Sequence, residues 1–239
     1  DGIRTVLSAV NNNGTFDPPP EPAHRDKLYR SLIPVDGGQR LVRRGGPNHG
    51  RPLVLLHGGM GTSALIAGRA AAFAASRPVL ALDIAGNGDS DPLSQAGANV
   101  EAFADDVLTV LTACGVDDFD LYGESSGATL AAAVAQRAGQ HVGKIILDRP
   151  EFPGDGIRTD LIANIAPPIE ATWDGTHFLT AWHMLRDAAL FWPWYNRTRE
   201  GVRDIEPDIE PVALQARLVA WLKGRLTYGD YIRATLGTD

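Results

Sequence analysis

Asp118-Phe119-Asp120-Leu121-Tyr122-Gly123-Glu124-Ser125-Ser126-Gly127-Ala128-Thr129-Leu130-Ala131-Ala132-Ala133 is the stretch that decides how this chain is read. Residues 118 to 122 have the composition of a short strand. Residues 126 to 139 predict a helix, with no proline and no internal glycine beyond Gly127. Between the two the chain must reverse within a few atoms. Gly123 and Gly127 stand two positions before and after Ser125, where a side chain would collide with neighbouring backbone, and glycine removes that collision. Ser125 is thereby placed at the carboxyl end of a strand with a helix N-terminus behind it. That is the setting of a nucleophile whose developing oxyanion is stabilised by backbone N–H groups. The Ser126 N–H is one such donor, and its hydroxyl reads as incidental. In a chain with 26 glycines a G-x-S-x-G match alone is weak and a plain glycine-rich turn is the alternative, so the weight comes from the neighbouring segments.

Two of these lie upstream. Pro52-Leu53-Val54-Leu55-Leu56 predicts a buried strand that opens into His57-Gly58-Gly59-Met60-Gly61 and then an alanine-rich helix through about Ser76. That loop is where a second oxyanion N–H is needed, from Gly59 or Met60. His57 reads as a loop-stabilising residue rather than a base. Val79-Leu80-Ala81-Leu82 predicts another strand, followed by the turn-rich Asp83-Ile84-Ala85-Gly86-Asn87-Gly88-Asp89-Ser90.

With H-G-G-x-G at 57 to 61, D-x-x-G-x-G-x-S at 83 to 90 and G-x-S-x-G at 123 to 127, the chain resembles the α/β-hydrolase superfamily in motif order and spacing. The resemblance is good over roughly residues 28 to 152. It implies a mainly parallel sheet with helices on both faces and a serine nucleophile at Ser125. Further on, Ala181-Trp182-His183-Met184-Leu185-Arg186-Asp187 and Leu190-Phe191-Trp192-Pro193-Trp194-Tyr195 look like the helical cap that many members insert after their sixth strand. The expected organisation is an extended N-terminal arm over 1–27, an α/β-hydrolase core over 28–152 and a helical cap or lid over 153–239.

The family's usual triad runs Ser, then Asp or Glu, then His. Here only His141, His177 and His183 follow Ser125. His141 falls before the strand Lys144-Ile145-Ile146-Leu147, at the end of the sheet away from the nucleophile. His177 and His183 fall in the cap, where packing or pocket lining is the first reading; His183 is the better candidate base and His177 the weaker. Asp148, directly after that strand, takes the position of the acid in the minority of members whose acid follows strand six, and a turn residue paired with Arg149 is the other reading. Glu151 is a weaker candidate for the same role. The chain reaches Asp239 without the two further strand–helix units the family has, so the last strands are expected to be absent and the base to be unassigned. A truncated chain and a pseudoenzyme both fit that pattern.

Composition bounds the rest. A chain of 239 residues, 44% hydrophobic, can bury one substantial core and fits one α/β domain with an insertion. A net charge of −7 argues against nucleic acid or an anionic membrane as main partner. The single cysteine, Cys114, excludes an intrachain disulfide and reads as a packed thiol at the end of the predicted helix Asn99 to Ala113, whose apolar face carries Val100, Phe103, Val107, Val110 and Leu111. No run is long and apolar enough to span a membrane, and no signal peptide is evident, so cytoplasmic is the default expectation; residue 1 is not Met, which leaves a removed leader as the alternative. Residues 1 to 27 are polar and proline-rich, and Tyr29 to Val35 and Arg40 to Arg43 predict an opening hairpin across Asp36-Gly37-Gly38.

All five tryptophans, Trp173, Trp182, Trp192, Trp194 and Trp221, follow Pro153. Trp182, Trp192 and Trp194 are the expected lining of an apolar substrate pocket, against ordinary helix packing as the alternative. Asp-Gly-Ile-Arg-Thr at 1 to 5 recurs at 155 to 159 without a physical account. The expected function is cleavage of a carboxylic ester or thioester of a hydrophobic small molecule through an acyl-enzyme on Ser125, with no cofactor and no metal. The expected partner is a small-molecule acyl substrate, and a homo-oligomer is compatible with it. C–C bond hydrolysis, peptide cleavage and a non-catalytic ligand-binding role remain open alternatives, because fold and nucleophile do not fix the substrate.

Overall fold

Leu53-Val54-Leu55-Leu56 is apolar and buried at every position, the pattern of a strand covered on both faces, and it forms a central strand of a six-stranded sheet. The structure is a computed structural model and describes residues 27–95, 97–151 and 153–238. The N-terminal arm, including the first Asp-Gly-Ile-Arg-Thr, lies outside the described residues apart from Lys27.

The sheet is built from β1 (Tyr29–Val35), β2 (Gly38–Gly45), β3 (Leu53–Leu56), β4 (Val79–Leu82), β5 (Phe119–Glu124) and β6 (Val142–Asp148), in spatial order β1-β2-β4-β3-β5-β6. The first two form the expected antiparallel hairpin, and β2 pairs antiparallel with β4. The β4–β3, β3–β5 and β5–β6 pairs are parallel. The helices are α1 (Ala67–Ala74), α2 (Val100–Ala113), α3 (Ser126–Ala138), α4 (Asp155–Asn164), α5 (Thr176–Leu190), α6 (Pro211–Leu222) and α7 (Tyr228–Leu236). Because β4 and β5 flank β3 on opposite sides, the strand order reverses there, and the crevice beyond the carboxyl ends of β3 and β5 is where such sheets bind ligands.

α2 starts where its sequence says it should. Asn99 caps it by accepting the Ala102 N–H at 3.1 Å, and Val100, Phe103, Val107, Val110 and Leu111 turn inward. Cys114 is a free thiol packed against the same core. Arg40 is buried beneath this helix and is held by a two-pronged contact with Asp106, at 2.7 and 2.9 Å.

Two apolar clusters meet at α7. Tyr231 and Ala234 join the core formed by the sheet and α2, while Tyr228 and Ile232 join a second cluster with Leu161, Met184, Leu214 and Trp221 of α4, α5 and α6. The second cluster is tied by Asp187, a fully buried carboxylate paired with Arg186 at 2.6 Å and Arg197 at 2.7 Å. Within the described residues the sheet ends at β6, whose Ile145, Ile146 and Leu147 are each more than 40% exposed.

Candidate active site

The turn from β5 into α3 has the strain its glycines foretell. Ser125 sits at φ 54°, a left-handed conformation that is costly for a residue with a side chain. A Cβ on Gly123 would lie 2.1 Å from the Gly127 carbonyl oxygen. One on Gly127 would lie 2.4 Å from the oxygen of Leu56 and 2.7 Å from that of His57. Backbone therefore packs against backbone on both sides of the serine, and no larger residue fits without moving β3.

The 57–61 loop packs directly against this turn. His57 is buried, and its ring is held at both ends by backbone: Nδ1 donates to the Gly58 oxygen at 2.7 Å and Nε2 accepts the Ile84 N–H at 3.1 Å. Burial holds its imidazole below the ordinary histidine value, against the opposing pull of Asp83. Both nitrogens being engaged, His57 acts as a loop brace.

Ser126 differs from expectation. Its hydroxyl is not incidental: Oγ accepts the Gly59 N–H at 2.6 Å. It also bonds the phenol of Tyr231, whose hydroxyl donates to the His57 carbonyl at 3.0 Å. The Gly59 N–H, one of the N–H groups expected to face an oxyanion, is thus occupied by a side chain. Met60 is also in the left-handed region, at φ 53°. Gly59 has no room for a side chain, since its Cβ would approach Ile232 to 2.6 Å.

The carboxylate in contact with the Ser125 hydroxyl is Glu151, not Asp148. Ser125 Oγ donates to Glu151 Oε1 at 2.7 Å. Asp148 meets Ser125 only through its backbone, whose carbonyl accepts the Ser125 N–H at 2.9 Å. Its side chain accepts the Tyr122 hydroxyl and lies 3.4 Å from Arg149 and 3.8 Å from Arg69. The Tyr122 hydrogen bond, with help from these two arginines, holds the Asp148 carboxyl below its ordinary range despite some burial. Arg69 also binds Glu124 at 2.6 Å, so this corner of the sheet is a charge network beside Ser125, with the Asp148 side chain engaged inside it.

The histidines that follow Ser125 in sequence lie elsewhere in space. His183, the expected candidate base, is on the exposed face of α5 and is not among the residues lining the cavity at Ser125. His177 accepts the Thr172 N–H at 3.1 Å and stacks at a tilt on Phe178. His141 bonds Asp118 at 3.2 Å.

A cavity of about 80 Å³ opens at Ser125. Trp192 and Trp194 line it with Met60, Leu161, Ile165 and Ile232, and Glu151 is its one carboxylate among the described residues. Trp182 does not: it packs into the helical cluster instead, because α5 turns Met184 and Leu185 inward beside it. Trp194 is fixed by its indole N–H, which donates to the Ile165 oxygen at 2.8 Å. Ile232 and its neighbours Thr235 and Leu236 come from α7, a helix with no motif to mark it in the sequence. Thr129, one turn into α3, completes the wall. Among the described residues no cluster of histidine, cysteine or carboxylate side chains could hold a metal ion, and no helix is long and apolar enough to cross a membrane.

Residues 51–174, just over half of the chain, match the family model described as the alpha/beta hydrolase fold, and the chain belongs to that family. It is 32% identical over 124 residues to a proline iminopeptidase from Heyndrickxia coagulans, a match that takes in 50% of this chain and 42% of that protein. The chain thus matches less than half the length of that curated relative. Among solved structures, it resembles a hydrolase from Pseudomonas aeruginosa PA01 at 20% identity and TM-score 0.66, over 88% of this chain and 73% of the other. A carboxylesterase from Bacillus subtilis matches at 21% identity and TM-score 0.56, over 84% and 65% of the two chains. At these identities the structural likeness speaks for the fold alone.

Proposed function

We propose that this protein is a serine hydrolase that cleaves a carboxylic ester or thioester of a hydrophobic small molecule through an acyl-enzyme on Ser125. The observation that carries the reading is the strained Ser125, its hydroxyl at an apolar cavity and the N-terminus of α3 behind it. Oγ attacks the acyl carbon as its proton passes to a general base and from there to the leaving group, and the electron pair of the carbonyl moves onto its oxygen. The N–H groups of Ser126 and Met60 hold that charge. Collapse expels the alcohol or thiol, and water then releases the acid. Trp192 and Trp194 supply the apolar wall for the acyl or alcohol part, under a cap formed by the C-terminal helices.

Peptide-bond cleavage is the second reading, favoured by the resemblance to a proline iminopeptidase. The test pairs a fluorophosphonate probe with a substrate panel of p-nitrophenyl esters, thioesters and aminoacyl anilides. A single adduct on the protein of 25.5 kDa, located to Ser125 and absent from Ser125→Ala, together with ester turnover that the same substitution abolishes, supports the hydrolase. Turnover of the anilides alone selects the peptidase. Saturable binding of an apolar ester with no adduct and no turnover overturns both in favour of a ligand-binding protein.

A further inference from the structure

The cavity at Ser125 is small for an apolar site. At about 80 Å³ it has roughly half the volume of a cavity of about 150 Å³ that admits one benzene ring, so in proportion it holds an apolar group of roughly three carbons. Two helix faces set that limit. Leu161 and Ile165, one turn apart at the end of α4, border it together with Ile232, Thr235 and Leu236, which share a face at helical spacing on α7. Neither face is free to yield. Leu161, Ile165 and Ile232 are all buried in the second apolar cluster. The Trp194 N–H holds the Ile165 carbonyl at 2.8 Å, and the Tyr228 hydroxyl donates to the Pro167 oxygen at 2.7 Å, which ties α7 to the chain leaving α4. Widening the cavity therefore means parting a close-packed cluster.

Ile232 also reaches the 57–61 loop. A Cβ on Gly59 would lie 2.6 Å from Ile232 Cγ1 and 2.8 Å from Cδ1, so the isoleucine rests directly on that loop. The Gly59 N–H is in turn bonded to the hydroxyl of Ser126, the residue after Ser125, at 2.6 Å. One side chain thus borders the cavity and touches the loop beside the serine. Thr129, half-buried one turn into α3, borders the cavity from the helix that begins at Ser125.

We propose, resting on the reading of Ser125 as the nucleophile of an ester or thioester hydrolase, that this cavity is an acyl pocket for short chains, acetyl to butyryl, and that Ile232 is the residue that sets the length. The occupant is the acyl group rather than the alcohol because of the order of events. The acyl group stays bonded to Oγ while the leaving group departs and water enters. A group held between α4 and α7 is retained through that exchange, whereas a leaving group lodged there would have to withdraw past the acyl chain. A longer chain has to part the cluster or leave its tail in water, and either loses the gain of burial.

The test is kcat/KM for p-nitrophenyl acetate, butyrate, octanoate and dodecanoate in the wild type, Ile232→Ala, Ile232→Val and Thr129→Leu. Adduct formation at Ser125 by a small fluorophosphonate checks that each variant is folded. In the wild type kcat/KM is expected to peak at the acetate or butyrate and to fall at least about tenfold by the octanoate, the least that a methylene too many costs in a closed pocket. Ile232→Ala is expected to raise the octanoate-to-butyrate ratio at least about tenfold, and Ile232→Val, which removes a single carbon, to raise it less. Thr129→Leu fills space and is expected to lower butyrate against acetate by about tenfold. A wild-type kcat/KM that climbs through the dodecanoate, or a chain-length profile unchanged in the variants that take the label, overturns the acyl-pocket assignment while leaving Ser125 as nucleophile. So does a profile flat across this series but steep across acetate esters of graded alcohols, and so does a wild type that takes the label but hydrolyses none of the esters. A wild type that neither takes the label nor hydrolyses any ester overturns the nucleophile reading and the pocket with it.

Discussion

Removing one hydroxyl, in Ser126→Ala, tests how the 57–61 loop, the proposed oxyanion loop, is held. Ser126 Oγ accepts the Gly59 N–H at 2.6 Å and bonds the Tyr231 phenol, which in turn donates to the His57 carbonyl. These contacts tie the 57–61 loop, the start of α3 and the middle of α7 into one unit. A fully buried donor left without a partner costs about 1–3 kcal/mol. The Gly59 contact is only part-buried, which puts the change near ~1–2 kcal/mol, because water can reach the freed N–H. For a domain of this size each kcal/mol moves the melting temperature by roughly 2–4 °C, so a fall of about 2–8 °C is expected by calorimetry. The freed Gly59 N–H no longer fixes Met60, and the donor pair loses register with Ser125. Fluorophosphonate labelling is therefore expected to slow by about tenfold, less than removal of a whole oxyanion donor produces. An unchanged melting temperature together with unchanged labelling would refute the argument that Ser126 braces the loop.

Gly127→Ala pushes a Cβ to 2.4 Å from the Leu56 oxygen, backbone that has nowhere to go, and is expected to lower stability by about 1–3 kcal/mol or more and to abolish labelling of Ser125, read by thermal melting and intact mass. Asp187→Ala removes the carboxylate between Arg186 and Arg197; since both arginines are at least 40% exposed and rehydrate, a loss of about 1–3 kcal/mol in urea denaturation is expected rather than the full cost of an orphaned buried charge. Asp120 gives a pH dependence. Burial alone would raise its carboxyl, but hydrogen bonds from Arg77 at 2.6 Å and the Lys144 N–H at 2.8 Å outweigh that and hold it below 3.8. A depressed folded value means stability that is present above the unfolded value and lost as pH falls through the folded one. Asp120→Asn is thus expected to be less stable than wild type at neutral pH and to show a smaller loss below pH 3.8, measured by melting across an acid series.

The elements of the core were legible because their signals are local. The apolar run at 53 to 56 needs cover on both faces, Asn99 caps the helix whose inward face repeats through Val107 and Leu111, and the glycines around Ser125 are demanded by backbone only a few residues or one strand away. Steric exclusion acts over a few ångströms, so it writes itself into neighbouring residues. The choice between Asp148 and Glu151 was not legible. Both are acids within three residues of each other, and what separates them is that Tyr122, Arg149 and Arg69 capture the first while the β5–β6 register delivers the second to Ser125.

The same holds for the cavity. Trp182, Trp192 and Trp194 are equivalent in composition, but α5 carries the first into packing, while the chain that follows α5 brings the other two to the cavity at Ser125. Tyr231 lies 174 residues from the carbonyl it supports, and nothing near either position in the chain announces the contact. Sequence by itself determined the sheet, the turn and the serine, since each follows from the sterics of adjacent residues. Only the tertiary structure decided which carboxylate, hydroxyl and indole reach that serine, since their placement depends on strand register and helix rotation summed over the whole fold.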